Sequence, residues 1–383
     1  MYKFDFCCVQ TILVVCLMSI AFYGHSQDSS SPVYKVHGTI EKFDIDHHMK
    51  MYQIDPIDQS REEVAESEIS ETGEYLLEFE FNGPDLYRLD FPGRQLVMMA
   101  INEGQKNITV DAEGQFGGNL RISGSPDSKK LKGYEEFRVD SKRRLIEPAN
   151  SAIRAARDSK NVEAEVNAVE NYVKASKAHR VELIDYIEKH IGASFALYGT
   201  VLRWTGDDNV ERLDRLVTSF AKKHPSLQAT KVMQDKVTRF KNVAIGAEAP
   251  VLSGITPTGG KLSLRDIDAE YVLIDFWASW CGPCISQVPD LKKVYSDFNA
   301  RGFEILGVSV DSREDRWRSA ITAHNLNWQH ISDLKGWKSE LAERYNVTFI
   351  PFNLIVDKNG IIVAKNMHSQ TLYKKLTELF EDK

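Results

Sequence analysis

Residues 276–284 read Phe-Trp-Ala-Ser-Trp-Cys-Gly-Pro-Cys, and Cys281 and Cys284 are the only cysteines beyond residue 16 in a chain of 383. Two cysteines this close enclose a loop too small to staple a large fold, so a purely structural bridge is a poor use of the pair. A structural zinc site takes about four ligands. The sequence offers no second cysteine pair after residue 16 and no histidine pair at ligand spacing, so no metal is expected. Redox chemistry remains. Cys281 stands at a predicted helix start, where free N–H groups and the positive dipole end favour a thiolate. Cys284, one turn on, is placed to attack a mixed disulfide at Cys281 and release the substrate as a dithiol. Gly282 and Pro283 keep the intervening turn tight.

The elements around the pair must supply a buried strand before it and a helix after it. Residues 271–278 (YVLIDFWA) are apolar enough for a strand buried on both faces, and residues 284–300 carry a helical pattern. Strands are expected next at 303–311, 328–333, 352–357 and 361–366, with helices at 314–325, 337–346 and 371–382. Lys358-Asn359-Gly360 is a hairpin signal between the last two strands. That order predicts a mixed sheet covered by helices. Asp275 lies inside the first strand, where a carboxylate is costly unless it finds a partner or a proton.

The stretch VLIDFWASWCGPC (residues 272–284) resembles the active-site segment of the thioredoxin family. The leader-like N-terminus, the GAEAP entry at 246–250 and an insert from about Ser312 to Tyr345 resemble its exported TlpA/ResA-like branch. The resemblance implies an α/β thioredoxin-like domain over residues 245–383. It implies that Asp275 helps take the proton of Cys284 and that Pro351, in TFIPFN, follows a cis peptide bond facing the cysteines. The backbone at Ile350 would bond an extended substrate segment, Trp280 would shield the thiols, and Pro289 would kink the active-site helix. Two departures stand out. Gln287 occupies the place where the ResA-like branch often has a glutamate, which leaves Asp275 to move protons alone. Pro351 is followed by Phe352-Asn353 rather than by the acidic residue of dedicated cytochrome c maturation members.

Residues 33–125 read as an all-β, antiparallel sandwich-like domain of short strands separated by Gly, Asn, Asp and Pro, with GEYLLEFEF at 73–81 strictly alternating. His47-His48 falls in a polar turn. Residues 126–244 switch to helical period and predict an α-helical connector that positions the last domain. Its longest stripe runs through Val162, Val166, Val169, Val173, Val181, Ile184, Ile187 and Ile191 as core. The front block carries a net charge of −10, the helical block +6 and the last block −2, read as solvated faces, with docking of the acidic block on the basic one as the alternative. Residues 1–26 have the shape of a signal peptide, which would take Cys7, Cys8 and Cys16 with it. An uncleaved segment would instead anchor the protein to the membrane. The front two-thirds resembles, in outline, the sandwich-plus-helices front of some exported thioredoxin-like proteins, whose role is unsettled.

The expected protein is an exported, periplasmic thiol–disulfide oxidoreductase that reduces protein disulfides through a redox-active Cys281–Cys284 disulfide and needs no cofactor. Gly-Pro between the cysteines resembles thioredoxin, whose potential is reducing at about −270 mV. Its partners would be disulfide-bearing or thiol-bearing exported proteins and a membrane electron donor. A disulfide isomerase, or a non-catalytic binding protein using the last domain as scaffold, are the alternatives. The acidic balance and the lack of a basic stripe argue against nucleic acid.

Overall fold

A computed structural model describes residues 31–42, 48–55, 60–159, 162–206 and 209–381. The signal segment expected at 1–26 and His47 lie outside the described residues. The front block has strands β1 (Val33–Thr39), β2 (His48–Ile54), β3 (Arg61–Glu68), β4 (Glu74–Glu80), β5 (Asp85–Asp90), β6 (Leu96–Ile101), β7 (Asn107–Ala112) and β8 (Leu120–Ser123). They form two four-stranded sheets, in the orders β4-β1-β7-β8 and β3-β2-β5-β6. Along β4, Tyr75, Leu77 and Phe79 are buried and every intervening residue is exposed. The inner faces share one core, in which Phe79 of the first sheet meets Tyr87 of the second at 5.1 Å between ring centroids. The sheets are not wholly antiparallel as expected: β1 and β7 run parallel.

The helical block packs as a third layer on the second sheet. It comprises α1 (Pro126–Ser141), α2 (Glu147–Asp158), α3 (Val162–Tyr186), α4 (Ala196–Leu202), α5 (Val210–Lys223) and α6 (Gln228–Asn242). Leu86 of β5 and Ala100 of β6 belong to the helical core, while their neighbours Tyr87 and Met99 belong to the sandwich core. The second sheet is therefore covered on both faces there. The Ser128 hydroxyl ties α1 to β6, donating to the Ala100 carbonyl at 3.0 Å and accepting its N–H at 3.1 Å. Among the described side chains, the valine stripe is core only at its end. Ile184, Ile187 and Ile191 are buried, but Val173 and Val181 are exposed, and the side chains of Val162 and Val166 lie outside the description.

The last block is one seven-stranded sheet in the order β10-β9-β13-β12-β11-β14-β15. Its strands are β9 (Ser253–Ile255), β10 (Lys261–Ser263), β11 (Tyr271–Trp277), β12 (Phe303–Ser309), β13 (Gln329–Ser332), β14 (Phe352–Asp357) and β15 (Ile362–Lys365). Its helices are α7 (Gly282–Ser286), α8 (Val288–Phe298), α9 (Glu314–Ala323), α10 (Glu340–Arg344) and α11 (Ser369–Glu381). All seven residues of β11 are buried. It lies between a parallel neighbour, β12, and an antiparallel one, β14. The β14–β15 hairpin turns at Gly360, whose φ of 79° favours glycine. The Asp357 carboxylate accepts the N–H groups of Asn359 and Ile361 in the same turn.

Candidate redox site

The chain leaves β11 at Trp277, turns through Ala278–Trp280 and enters α7 at Cys281. That turn is fastened by Asp311, a residue the sequence did not single out. The buried Asp311 carboxylate accepts the Ser279 N–H at 2.9 Å, the Ser279 hydroxyl at 2.6 Å and the Ser309 hydroxyl at 2.8 Å. The Val310 N–H donates to the Trp277 carbonyl at 3.0 Å. The end of β12 thereby holds the redox loop.

Cys281 is the N-cap of α7, and its Sγ accepts the Cys284 N–H at 3.2 Å. The two sulfurs are joined in a disulfide, with Cα atoms 5.3 Å apart. Cys281 and Cys284 are 5% and 6% exposed, so access does not separate them. What separates them is the N–H directed at the Cys281 sulfur and the helix start beneath it, which both favour negative charge there. Gly282 and Pro283 are exposed between them. A Cβ on Gly282 would meet nothing within 4 Å, so that side of the bridge is open to an approaching chain.

Helix α7 ends at Gln287, and α8 begins with Pro289 in its first turn, so the active-site helix is broken at this point. Gln287 Oε1 lies 3.2 Å from His368 Nδ1, which lies 3.4 Å from Asn353 Nδ2. Asn353 in turn donates to the Met367 carbonyl at 2.7 Å and accepts the Met367 N–H at 2.8 Å. The place that carries no titrating carboxylate is thus occupied by a neutral network that links α7 to the segment before α11. His368 is itself held below its ordinary value by burial.

Asp275 is 7% exposed. Burial, the sole cause, pushes its carboxyl up to about 7. On β14 its register partner is Asn353, and on β12 it is Gly307. The Ile350–Pro351 peptide bond is cis. Phe352 pairs with Phe276, which sets Pro351 at the end of the sheet from which the Cys281 loop emerges. Ile350 and Pro351 are half-buried. Trp280, expected to shield the thiols, is 52% exposed and lies 6.1 Å, centroid to centroid, from the equally exposed Trp337. Trp337 was not foreseen, because it stands in the insert, far from the cysteines in sequence. No group of three or more His, Cys, Asp or Glu able to hold a metal occurs among the described residues, and no helix among them is long and apolar enough to cross a membrane.

The arrangement can act as a reversible two-electron store. Opened, it offers a thiol at a helix start, a second thiol one turn away and a carboxyl that burial pushes up to about 7. Comparison with known proteins adds a lineage. The AhpC/TSA family profile matches residues 245–365. The thioredoxin-like protein YneN of Bacillus subtilis is 32% identical over 136 residues, covering 35% of this chain and 76% of that protein. A thiol-disulfide oxidoreductase ResA of Bacillus thuringiensis is 26% identical over 138 residues, 36% of this chain and 78% of that one. The solved thioredoxin domain of a Bacteroides vulgatus thiol-disulfide oxidoreductase is 36% identical. It covers 36% of this chain and 98% of that domain, at a TM-score of 0.34.

Proposed function

The chain belongs, through its last third, to the thioredoxin-like thiol-disulfide oxidoreductases, and from that premise we propose that it reduces disulfides in other exported proteins. The observation that carries the proposal is the Cys281–Cys284 bridge at the start of α7, with the Cys284 N–H directed at the Cys281 sulfur. In the reduced enzyme the Cys281 thiolate attacks one sulfur of the substrate disulfide. The substrate S–S bond breaks, a Cys281–substrate disulfide forms, and the first substrate sulfur leaves and takes up a proton. Asp275 then accepts the proton of Cys284. The Cys284 thiolate attacks Cys281 Sγ, closing the bridge and expelling the second substrate sulfur, which is protonated in turn. Net, one substrate disulfide becomes two thiols while the enzyme dithiol becomes a disulfide. A dithiol donor at the membrane returns the two electrons.

The choice of reductase over isomerase is supported by Gly282-Pro283 between the cysteines. Export is supported by the signal-like residues 1–26, with processing near Ser26; the mass of the recovered N-terminus tests it. The front sandwich and its helical layer are proposed to present the redox block rather than to take part in the chemistry. The test is the midpoint potential of the Cys281/Cys284 couple in the full chain, read by thiol-specific mass tagging in dithiothreitol or glutathione buffers. A reductase is expected near about −270 mV, and a value above about −180 mV would assign the protein to isomerisation or oxidation instead. A binding protein with an inert scaffold would show no exchange with glutathione on the timescale of turnover.

A further inference from the structure

His330 is the buried group that this redox cycle leaves without a task. It sits on β13, 3% exposed, and neither ring nitrogen has a hydrogen-bond partner. The Leu326 backbone faces the ring outside hydrogen-bonding geometry and only partly offsets its burial. The ring packs between Trp277 and Trp328, with centroids 5.6 Å and 5.9 Å away. A phenylalanine would fill that space without the desolvation cost of two bare nitrogens.

Strand register identifies what the ring faces. Asp275 of β11 pairs with Gly307 of β12, and Gly307 pairs with His330 of β13. Paired residues on neighbouring strands project to one face, so the three form one row. Its middle member has no side chain, and the imidazole takes that space. A Cβ on Gly307 would fall 2.4 Å from His330 Nδ1, 2.8 Å from its Cε1 and 3.1 Å from Trp277 Nε1. Trp277 Nε1 is also buried without a partner. Neighbouring strands lie about 4.8 Å apart, so the imidazole edge over Gly307 stands one strand spacing from Asp275. Burial pushes the carboxyl up to about 7 and the imidazole down to about 4. With one proton between them, a neutral acid–imidazole pair and a carboxylate–imidazolium pair have the same net charge. In a water-poor layer their mutual attraction acts against the desolvation that disfavours the second.

We propose that His330 is a positioning residue for the redox centre: its imidazole, laid over the side-chain-free position of Gly307, couples to Asp275 and sets the pH at which that carboxyl gives and takes its proton. The inference rests on the reading of Asp275 as the proton carrier. The other titratable groups on the adjoining elements are Cys281 and Cys284, Tyr271 of β11 bonded to the Leu379 carbonyl, Tyr295 of α8 bonded to Glu304, Asp311 bonded to Ser279 and Ser309, Asp357 at the β14–β15 turn, and His368 ahead of α11. The charged side chains of α8 and α9 are exposed except the half-buried Lys292.

The test follows the His330 ring resonance of the full chain by NMR from about pH 4 to about pH 9, in the unsubstituted protein and in Asp275→Asn. The resonance is expected to move with a midpoint near that of Asp275, and this step is expected to vanish in Asp275→Asn. A flat resonance, or a step that survives the substitution, would overturn the coupling. In parallel, His330→Phe is expected to raise the pH of half-maximal mixed-disulfide release by about one unit, since a polar group that supports the carboxylate is lost. The same change in an Asp275→Asn background is expected to add no shift. An unchanged pH profile in folded His330→Phe, or in His330→Leu if the first does not fold, would also overturn it. If Asp275→Asn leaves turnover intact, the carrier reading falls, and the ring resonance alone then decides whether the two groups titrate together.

Discussion

Asp275→Asn is expected to make the protein more stable and slower at once. Burial raises the carboxyl from 3.8 to about 7, a displacement worth about 4 kcal/mol at most. The raised value in the folded state means that the unfolded chain ionises first. Well below about pH 4 both states are protonated and Asp275 adds no pH-dependent cost; the penalty grows as pH rises towards about 7 and is complete above it. The asparagine variant carries its own burial cost, but that cost does not depend on pH. The difference in stability between variant and parent should therefore grow by a few kcal/mol, up to about 4, from about pH 4 to about pH 8. Urea midpoints of both oxidised proteins at the two pH values measure it. Release of a mixed disulfide trapped at Cys281, followed at pH 7, should slow by about 10²-fold, the lower range for a lost general base. A stability difference that is the same at both pH values would refute the burial argument. Loss of stability with unchanged release would show Asp275 to be a structural residue and place the proton on another group.

Three further outcomes are expected. In the reduced protein, brief alkylation followed by mass mapping should label Cys281 at least about 10-fold faster than Cys284, although the two are almost equally covered, because only Cys281 lies at the helix start; equal labelling would remove the nucleophile assignment. Asp311→Ala leaves the Ser279 N–H and two hydroxyls without their acceptor, and should cost about 2–3 kcal/mol in urea denaturation while slowing insulin reduction; an unchanged denaturation midpoint would show that the loop is held by other contacts. Residues 245–383 expressed alone should fold and reduce insulin, because β11, both cysteines and Phe352 share one core that, among the described residues, draws only Val243 from before residue 245; a folded but inert fragment would give the front blocks a part in the chemistry.

The redox block was legible because its signals are local. Seven buried residues in a row, then a C-x-x-C at a helix start, carry their own reading. The front was legible where one face meets water: β4 alternates because Leu76, Glu78 and Glu80 are exposed. Strand β6, Leu-Val-Met-Met-Ala-Ile, shows no alternation, because helices cover its second face. Strand β3 carries a weak signal for the opposite reason. It is an edge strand whose Arg61, Glu62 and Glu63 are exposed, and its charges read as a loop. At the site, Asp311, Trp337 and His330 were invisible because each acts through strand register or a long loop. His330 shares a row with Asp275 only by way of β12, and nothing in a linear reading marks Gly307 as the gap that admits its ring.

The central claim is that this chain delivers two electrons to a protein disulfide through Cys281 and Cys284. Single-turnover exchange of the pre-reduced full chain with insulin, with no other reductant present, tests it most directly. Closure of the Cys281–Cys284 bridge should be matched by two new substrate thiols per chain, and Cys281→Ser should produce none. Closure without substrate thiols, or exchange among substrate disulfides with no net loss of enzyme thiols, would contradict it.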